Sequence, residues 1–251
     1  MGIRLIVDTN IFWTPAYIST AAWYDASDTN TITLGAGGVS QWDDKSGNAN
    51  HATQGISVNQ PQTGTNIING LNSIEFVQDY FQNTTKLTNV RSIFFVSDII
   101  DGSGLAVNVA PVIGEVTGLE NHLFVRSNAT DYGISIDGNI SQTGSAGVNG
   151  STPTTSGPQT GRNIDFGLSI VEKESPLQWY VEWDANVDWD YIGKLVAGGN
   201  DYNLIGALGE IIILDSVPST DLRQKFEGYL AWKWGLQNSL PALHPYKDGR
   251  P

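Results

Sequence analysis

Glu182-Trp183-Asp184 is the place where two carboxylates are best spaced for chemistry. Alternate residues of a strand share a face, so Glu182 and Asp184 would point the same way. Glycoside hydrolysis needs such a pair flanking the scissile bond, about 5–5.5 Å apart for retention. Asp184, Asn186, Asp188 and Asp190 add oxygen ligands at alternate positions, as at the start of an EF-hand-type loop, and would suit Ca²⁺. Trp189 stands where that loop needs its glycine, and Leu195 where it needs its closing Glu. A solvated acidic strand face is the competing reading. The same stretch carries Trp179, Tyr180, Trp183, Trp189 and Tyr191, the densest aromatic run outside the last helix. Sugar sites use aromatic faces with Asp and Asn partners. Half of these rings are expected in the core and half on a carbohydrate-binding platform.

Other chemistries lack their parts. Gly102-Ser103-Gly104 does not have the spacing of a nucleophile elbow. Histidines stand only at 51, 122 and 244, too scattered for a His-based metal site, and there is no cysteine. Gly35, Gly37 and Gly38 are followed by neither Lys-Ser/Thr nor a helix, so they are not a nucleotide loop. Glu172 and Glu174 share a face, but Lys173 and Pro176 make that segment a strand end. With 26 acidic against 13 basic residues the formal charge is -13, which argues against nucleic acid and anionic membranes as partners. No stretch reaches the ~20 apolar residues of a membrane span. Ile3 to Val7 is too short for a signal peptide. Extracellular work would then follow lysis, dedicated secretion or carriage on a virus particle.

The elements that must hold these residues are mostly strands. Apolar or alternating runs recur at Ile3–Asp8, Ser73–Val77, Arg91–Ser97, Val109–Val116, His122–Arg126, Tyr132–Ile136, Asp165–Val171, Gln178–Trp183, Tyr191–Leu195 and Leu204–Leu214. Arg91–Val96 and Gly209–Leu214 are nearly all apolar, as strands buried on both faces are. Turn formers such as Asp137-Gly138-Asn139 separate the runs. The rhythm predicts an antiparallel sandwich rather than βαβ units. Residues 138–162 hold almost no large apolar side chains and are expected to form a long exposed loop. One helix is expected after Ser219. Asp221 lies in its first turn, Leu222, Phe226, Tyr229, Leu230 and Trp234 form one stripe, and Gly235 ends it. The stripe is expected to be core.

Two stretches carry a family resemblance. Trp42, Asp44, Ser46, Gly47, Asn48, His51 and Ala52 match a Trp-x-Asp-x-Ser-Gly-Asn-x-x-His-Ala signature, preceded by Trp23-Tyr24-Asp25-Ala26-Ser27-Asp28. The second runs from Gly209 to Asp215, through Ser219 to Gly235, and on to Leu240-Pro241 and His244-Pro245-Tyr246-Lys247. Together they resemble the concanavalin A-like lectin/glucanase superfamily, and more narrowly the laminin G-like jelly-roll domains of bacteriophage structural and tail proteins and of bacterial surface proteins. Phe76, Asp79, Tyr80 and Phe81 meet a further family segment only loosely. The resemblance covers residues 15–247, after a 1–14 arm or first strand and before a 248–251 tail.

It implies an all-β fold: a two-sheet antiparallel jelly-roll sandwich with one C-terminal helix. It also implies a carbohydrate- or surface-binding module, and by itself no activity. Hydrolases among such relatives use Glu-x-Asp-x-Glu or Glu-x-Asp-x-x-Glu, and here Asn186 and Val187 replace the second Glu. The expectation is a non-enzymatic virion protein, a phage tail fibre or capsid decoration protein. Its partners would be host-surface glycan or other virion proteins, with further copies of itself. A glucanase-branch hydrolase and a purely architectural subunit docking through Met1–Trp13 are the alternatives. Trp23, Trp42 and His51 read as structural residues, and Asp43 and Asp44 as braces of a turn.

Overall fold

A computed structural model describes residues 12–99, 109–115, 122–127, 131–137, 144–152, 154–156, 168–172, 176–197 and 200–251. The run expected at Ile3–Asp8 lies outside them. Large antiparallel sheets curl into a half-barrel sandwich, with a single C-terminal helix, Thr220–Lys233, against the outside. The fold is thus the all-β, jelly-roll-like architecture that the turn rhythm and the resemblance imply.

Nine strands follow one another across the main path. They are Leu168–Glu172, Asp131–Asp137, His122–Ser127, Val109–Gly114, Leu177–Ile192, Phe81–Ile99, Ile205–Leu214, Leu71–Val77 and Gln62–Ile68. Ala22–Asp25 pairs with Ile205–Leu214, and Gly144–Val148 with Leu177–Ile192. A small ladder of Ile32–Leu34, Val39–Trp42 and Ala52–Thr53 joins the start of Phe81–Ile99.

The near-continuous apolar runs do sit at the centre. Ile93 and Phe95 face the interior of the curl, while Phe94 and Val96 face the helix. Both faces of this strand are therefore covered, and every residue of its apolar run must exclude water. The strand is also longer than its apolar run. It begins at Phe81, because Phe81, Asn83, Leu87 and Val90 continue the inward face through a polar stretch. The Gly/Ser/Thr stretch expected as an exposed loop instead contributes Gly144–Val148 and Thr154–Ser156, paired with each other. Gly144 to Gly147 are buried. Small side chains, not large apolar ones, allow this strand to lie against Leu177–Ile192, where Gly144 is opposite Trp183 and Val148 opposite Trp179.

The helix is built as its sequence implies. Ser219 Oγ accepts from Leu222 N at 3.3 Å, and Asp221 and Lys233 complement the helix dipole. Gly235 takes φ +74°, which lets Leu236 N reach back to Ala231 O at 2.7 Å. Phe226, Leu230, Ala231 and Trp234 pack on Phe94, Val96, Ile212 and Leu214. Phe226 stacks on Phe94 with ring centroids 4.5 Å apart.

Gly209 lies where the register of Ile205–Leu214 shifts against Phe81–Ile99. A Cβ there would come 2.7 Å from the Trp234 ring, which is fully buried. Gly209→Ala is therefore expected to cost about 1–3 kcal/mol by forcing strand and helix apart. A guanidinium unfolding midpoint equal to wild type would contradict this.

Candidate functional site

The strand singled out by its aromatics is a core strand. Trp179, Tyr180, Trp183 and Trp189 are at most 2% exposed, and Tyr191 is 9% exposed. None of the five offers an open face, so the expected platform of outward rings is not formed. The reason is position: Trp179, Trp183 and Trp189 face the interior of the curl, Tyr180 faces the helix, and Tyr191 packs on Tyr80. Trp179 donates to Ser97 Oγ at 3.0 Å and stacks on Phe95. Tyr180 lies against Phe94 on the helix side. Tyr191 meets Tyr80 edge-on at 5.5 Å, with Lys194 Nζ 4.3 Å over the Tyr80 ring.

The described acidic positions do not converge either. Leu177–Ile192 is one continuous strand with register shifts between Glu182 and Tyr191, not a loop. Alternate residues of a strand stand about 6.5–7 Å apart, whereas Ca²⁺ draws its oxygens to ~2.3–2.6 Å. Asn186 is exposed and donates to Asn89 Oδ1 at 2.8 Å. Asp188 accepts from Asn89 N at 3.3 Å. It lies 3.9 Å from Lys86 Nζ, which is paired with Glu115. The Asp190 carboxylate also acts on Lys86. The positive charge among these acids is thus supplied by a lysine. The Asp184 side chain is outside the described residues. Among those described, no three His, Asp or Glu side chains form a metal-sized group. Glu182, the best hydrolase candidate, accepts hydrogen bonds from Ser145 and Tyr180 on the helix side.

The signature turn is scaffold. Asp44, only 8% exposed, accepts from Trp23 N and Ser46 N at 2.8 Å, Ser46 Oγ at 2.6 Å and Asn50 N at 3.1 Å. His51 Nδ1 accepts from Asp44 N at 3.2 Å, and Asn48 and Asn50 donate to the Ala21 carbonyl.

Beneath this turn lies a charged cluster. Glu210 is fully buried and accepts from Trp23 Nε1, Tyr229 Oη, Lys233 Nζ and Trp234 Nε1 at 2.7–2.9 Å. Lys233 also meets Asp25 at 2.7 Å, and Lys45 bridges Asp25 and Asp28. At Asp25 burial is the largest influence and pushes the pKa up. Lys233, Ser27 and Lys45 together outweigh it, so the carboxyl lies below the ordinary 3.8. At Glu210 burial prevails over Lys233 and Trp234, and the carboxyl lies above the ordinary 4.5.

The signs are opposite. The Asp25 contribution is complete above pH 3.8 and is lost as pH falls through its folded value. Glu210 gains stability as pH falls through its raised folded value, a gain that is complete below 4.5. Asp25→Asn is therefore expected to flatten the loss of stability below pH 3.8, measured as denaturation midpoint against pH. An acid limb as steep as that of wild type would refute the assignment.

A recess opens on the surface at the foot of the helix, where both ends of the described chain meet. Trp13 N donates to Pro251 O at 3.0 Å. The Trp13 ring stands edge-on to Phe226 and Tyr229 at 5.0 and 6.2 Å. Tyr229, Trp232 and Lys233, three and four apart on the helix, reach the same side. Trp232 is fixed by its Nε1 donating to Tyr246 O at 2.8 Å. Arg250 lies over the rings of Phe12 and Trp232, at 4.8 and 5.9 Å. These residues line a recess of about 390 Å³. Phe12 is 48% exposed and supplies an open aromatic face.

Lys233 is matched by two carboxylates, while Arg250 has only ring contacts among the described residues. The Ser27 hydroxyl, also on the lining, is committed to Asp25 at 2.6 Å. The recess is thus equipped for stacking and for donating hydrogen bonds. The chain matches none of the family models, curated proteins or solved structures with which it was compared. Sequence reading missed this place. Its one visible signal was Trp232, an aromatic standing off the apolar stripe of its helix.

Proposed function

We propose that this protein is a non-enzymatic recognition module of a virus particle, a phage tail fibre or capsid decoration protein that contacts host-surface carbohydrate outside the cell. The observation that carries the reading is the open aromatic recess between Phe12, Trp13, Tyr229 and Trp232. Aromatic faces with a few fixed polar groups are what sugar recognition requires. The resemblance of the Trp42–Ala52 and Gly209–Lys247 segments to phage jelly-roll domains supports the virion setting. The hydrogen bonds on Glu182 from Ser145 and Tyr180 favour a structural over a catalytic use of that carboxylate.

Other virion proteins, including copies of this chain, are the further partners in this reading. Glycan-array and whole-cell binding test it together. Signal on both, lost when Phe12 is changed to Ser, is the expected result. Background on both removes the recognition reading and leaves an architectural subunit.

A further inference from the structure

We propose that the recess at the foot of the helix binds a carboxylate-bearing sugar, with Arg250 as the residue that selects the carboxylate. The proposal rests on the recognition reading above and gives it a ligand class and a place.

Charge carries the argument furthest. Acidic residues outnumber basic ones 26 to 13 in this protein. Five described cations, Lys45, Lys86, Lys194, Arg223 and Lys233, each sit on a carboxylate. Arg91, Lys225, Lys247 and Arg250 do not, and of these four only Arg250 lines the recess, where its partners among the described residues are the faces of Phe12 and Trp232. Stacking of this kind orients the guanidinium plane and leaves its N–H edge to donate. A planar carboxylate fits that fork through two parallel charge-assisted hydrogen bonds.

The remaining lining restricts the rest of the ligand. Phe12 and Trp232 give apolar faces on which the C–H face of a sugar ring can lie, and the Thr14 side of the lining adds a hydroxyl-bearing residue. A recess of about 390 Å³ lies at the small end of the ~300–1,000 Å³ of small-ligand sites. One or two sugar rings suit that space. One guanidinium at the recess, beside a Lys233 already matched by two carboxylates, favours a monoanion over a multiply charged phosphate or sulfate ester.

The test uses the full chain, with methyl glucuronide and methyl glucoside as probes, followed by chemical-shift titration. These differ by the carboxylate alone. The glucuronide is expected to bind at least about tenfold more tightly, the size of one good charge-assisted contact. Arg250→Met, which keeps an apolar stem over the rings, is expected to abolish that preference while leaving the melting temperature within about 1 °C, as for a surface substitution. Phe12→Ser is expected to weaken both probes.

Equal binding of the two sugars, or a preference that survives Arg250→Met, overturns the proposal. Binding that appears only after Met1–Ile11 is deleted assigns the recess to that segment and overturns it as well. Glycan-array signal that persists in Arg250→Met and Phe12→Ser sinks the recess while leaving recognition elsewhere on the module. Absence of array and cell binding by wild type removes both readings.

Discussion

Glu210→Ala is expected to be the most damaging single substitution in this protein. Four donors point at the Glu210 carboxylate from four different residues: Trp23, Tyr229, Lys233 and Trp234. They belong to the first described strand and the last helix, so the carboxylate ties both to strand Ile205–Leu214. Alanine leaves the buried Trp23 and Trp234 indole N–H groups, and the part-buried Tyr229 hydroxyl and Lys233 ammonium, without their acceptor. Removing one partner of a buried charged network typically costs about 3–5 kcal/mol, because the groups left behind keep their desolvation penalty. In a chain of this size that is a fall of roughly 6–20 °C in melting temperature. Glu210→Gln keeps an oxygen acceptor and is expected to lose less. A calorimetric melting temperature for Glu210→Ala within about 2 °C of wild type would show that the network contributes little, since ~1 kcal/mol shifts Tm by 2–4 °C.

Asp44→Ala is expected to cost nearly as much, at about 3–5 kcal/mol, for a related reason. Its carboxylate accepts three backbone N–H groups and the Ser46 hydroxyl. It thereby joins the turn to the first residues of strand Ala22–Asp25. Asp43, its neighbour, is an internal control. It is 35% exposed in its side chain, faces His51 and accepts from Gln41. Asp43→Ala is expected to stay within about 0.5–1 kcal/mol of wild type, as exposed pairs do. Chemical denaturation of both variants decides the matter. Similar losses for the two would mean that the turn is held by its backbone and not by the Asp44 carboxylate.

These two substitutions fall on parts that the sequence treats very differently. The Asp44 turn is local: Asp44, Ser46, Gly47 and Asn50 lie within a few residues, and side-chain-to-backbone bonding of that range is written in residue type and spacing. Gly47 takes φ +88°, as its place in the turn requires. The helix is equally legible, from the Ser219 cap to the Gly235 stop, because both caps act within one turn of chain. The buried strands at Arg91–Val96 and Gly209–Leu214 show themselves because burial on both faces removes the alternation of polar residues. From these alone an antiparallel β fold with one late helix follows.

The candidate site was not legible in the same way. Trp179, Trp183 and Trp189 look identical in sequence whether a strand is covered on one face or on two. Alternation divides residues between faces without saying what lies over each. The tertiary structure turns the face of Trp179, Trp183 and Trp189 to the interior of the curl, and the rings become core, while Asn186 on the same strand stays exposed. Gly144–Val148 was equally hidden, since its burial comes from close approach of small residues to a neighbouring strand rather than from apolar side chains. The recess draws on Phe12, on Trp232 and on Arg250, which are brought together only when the two ends of the described chain meet beneath the helix. The sequence by itself determined the local pieces and the fold class, because caps, turns and hydrophobic periodicity act over a few residues. Which aromatic faces meet solvent, and which cation stands over the rings of the recess, only the tertiary structure decided. Burial and ion pairing depend on what packs against a residue from far along the chain.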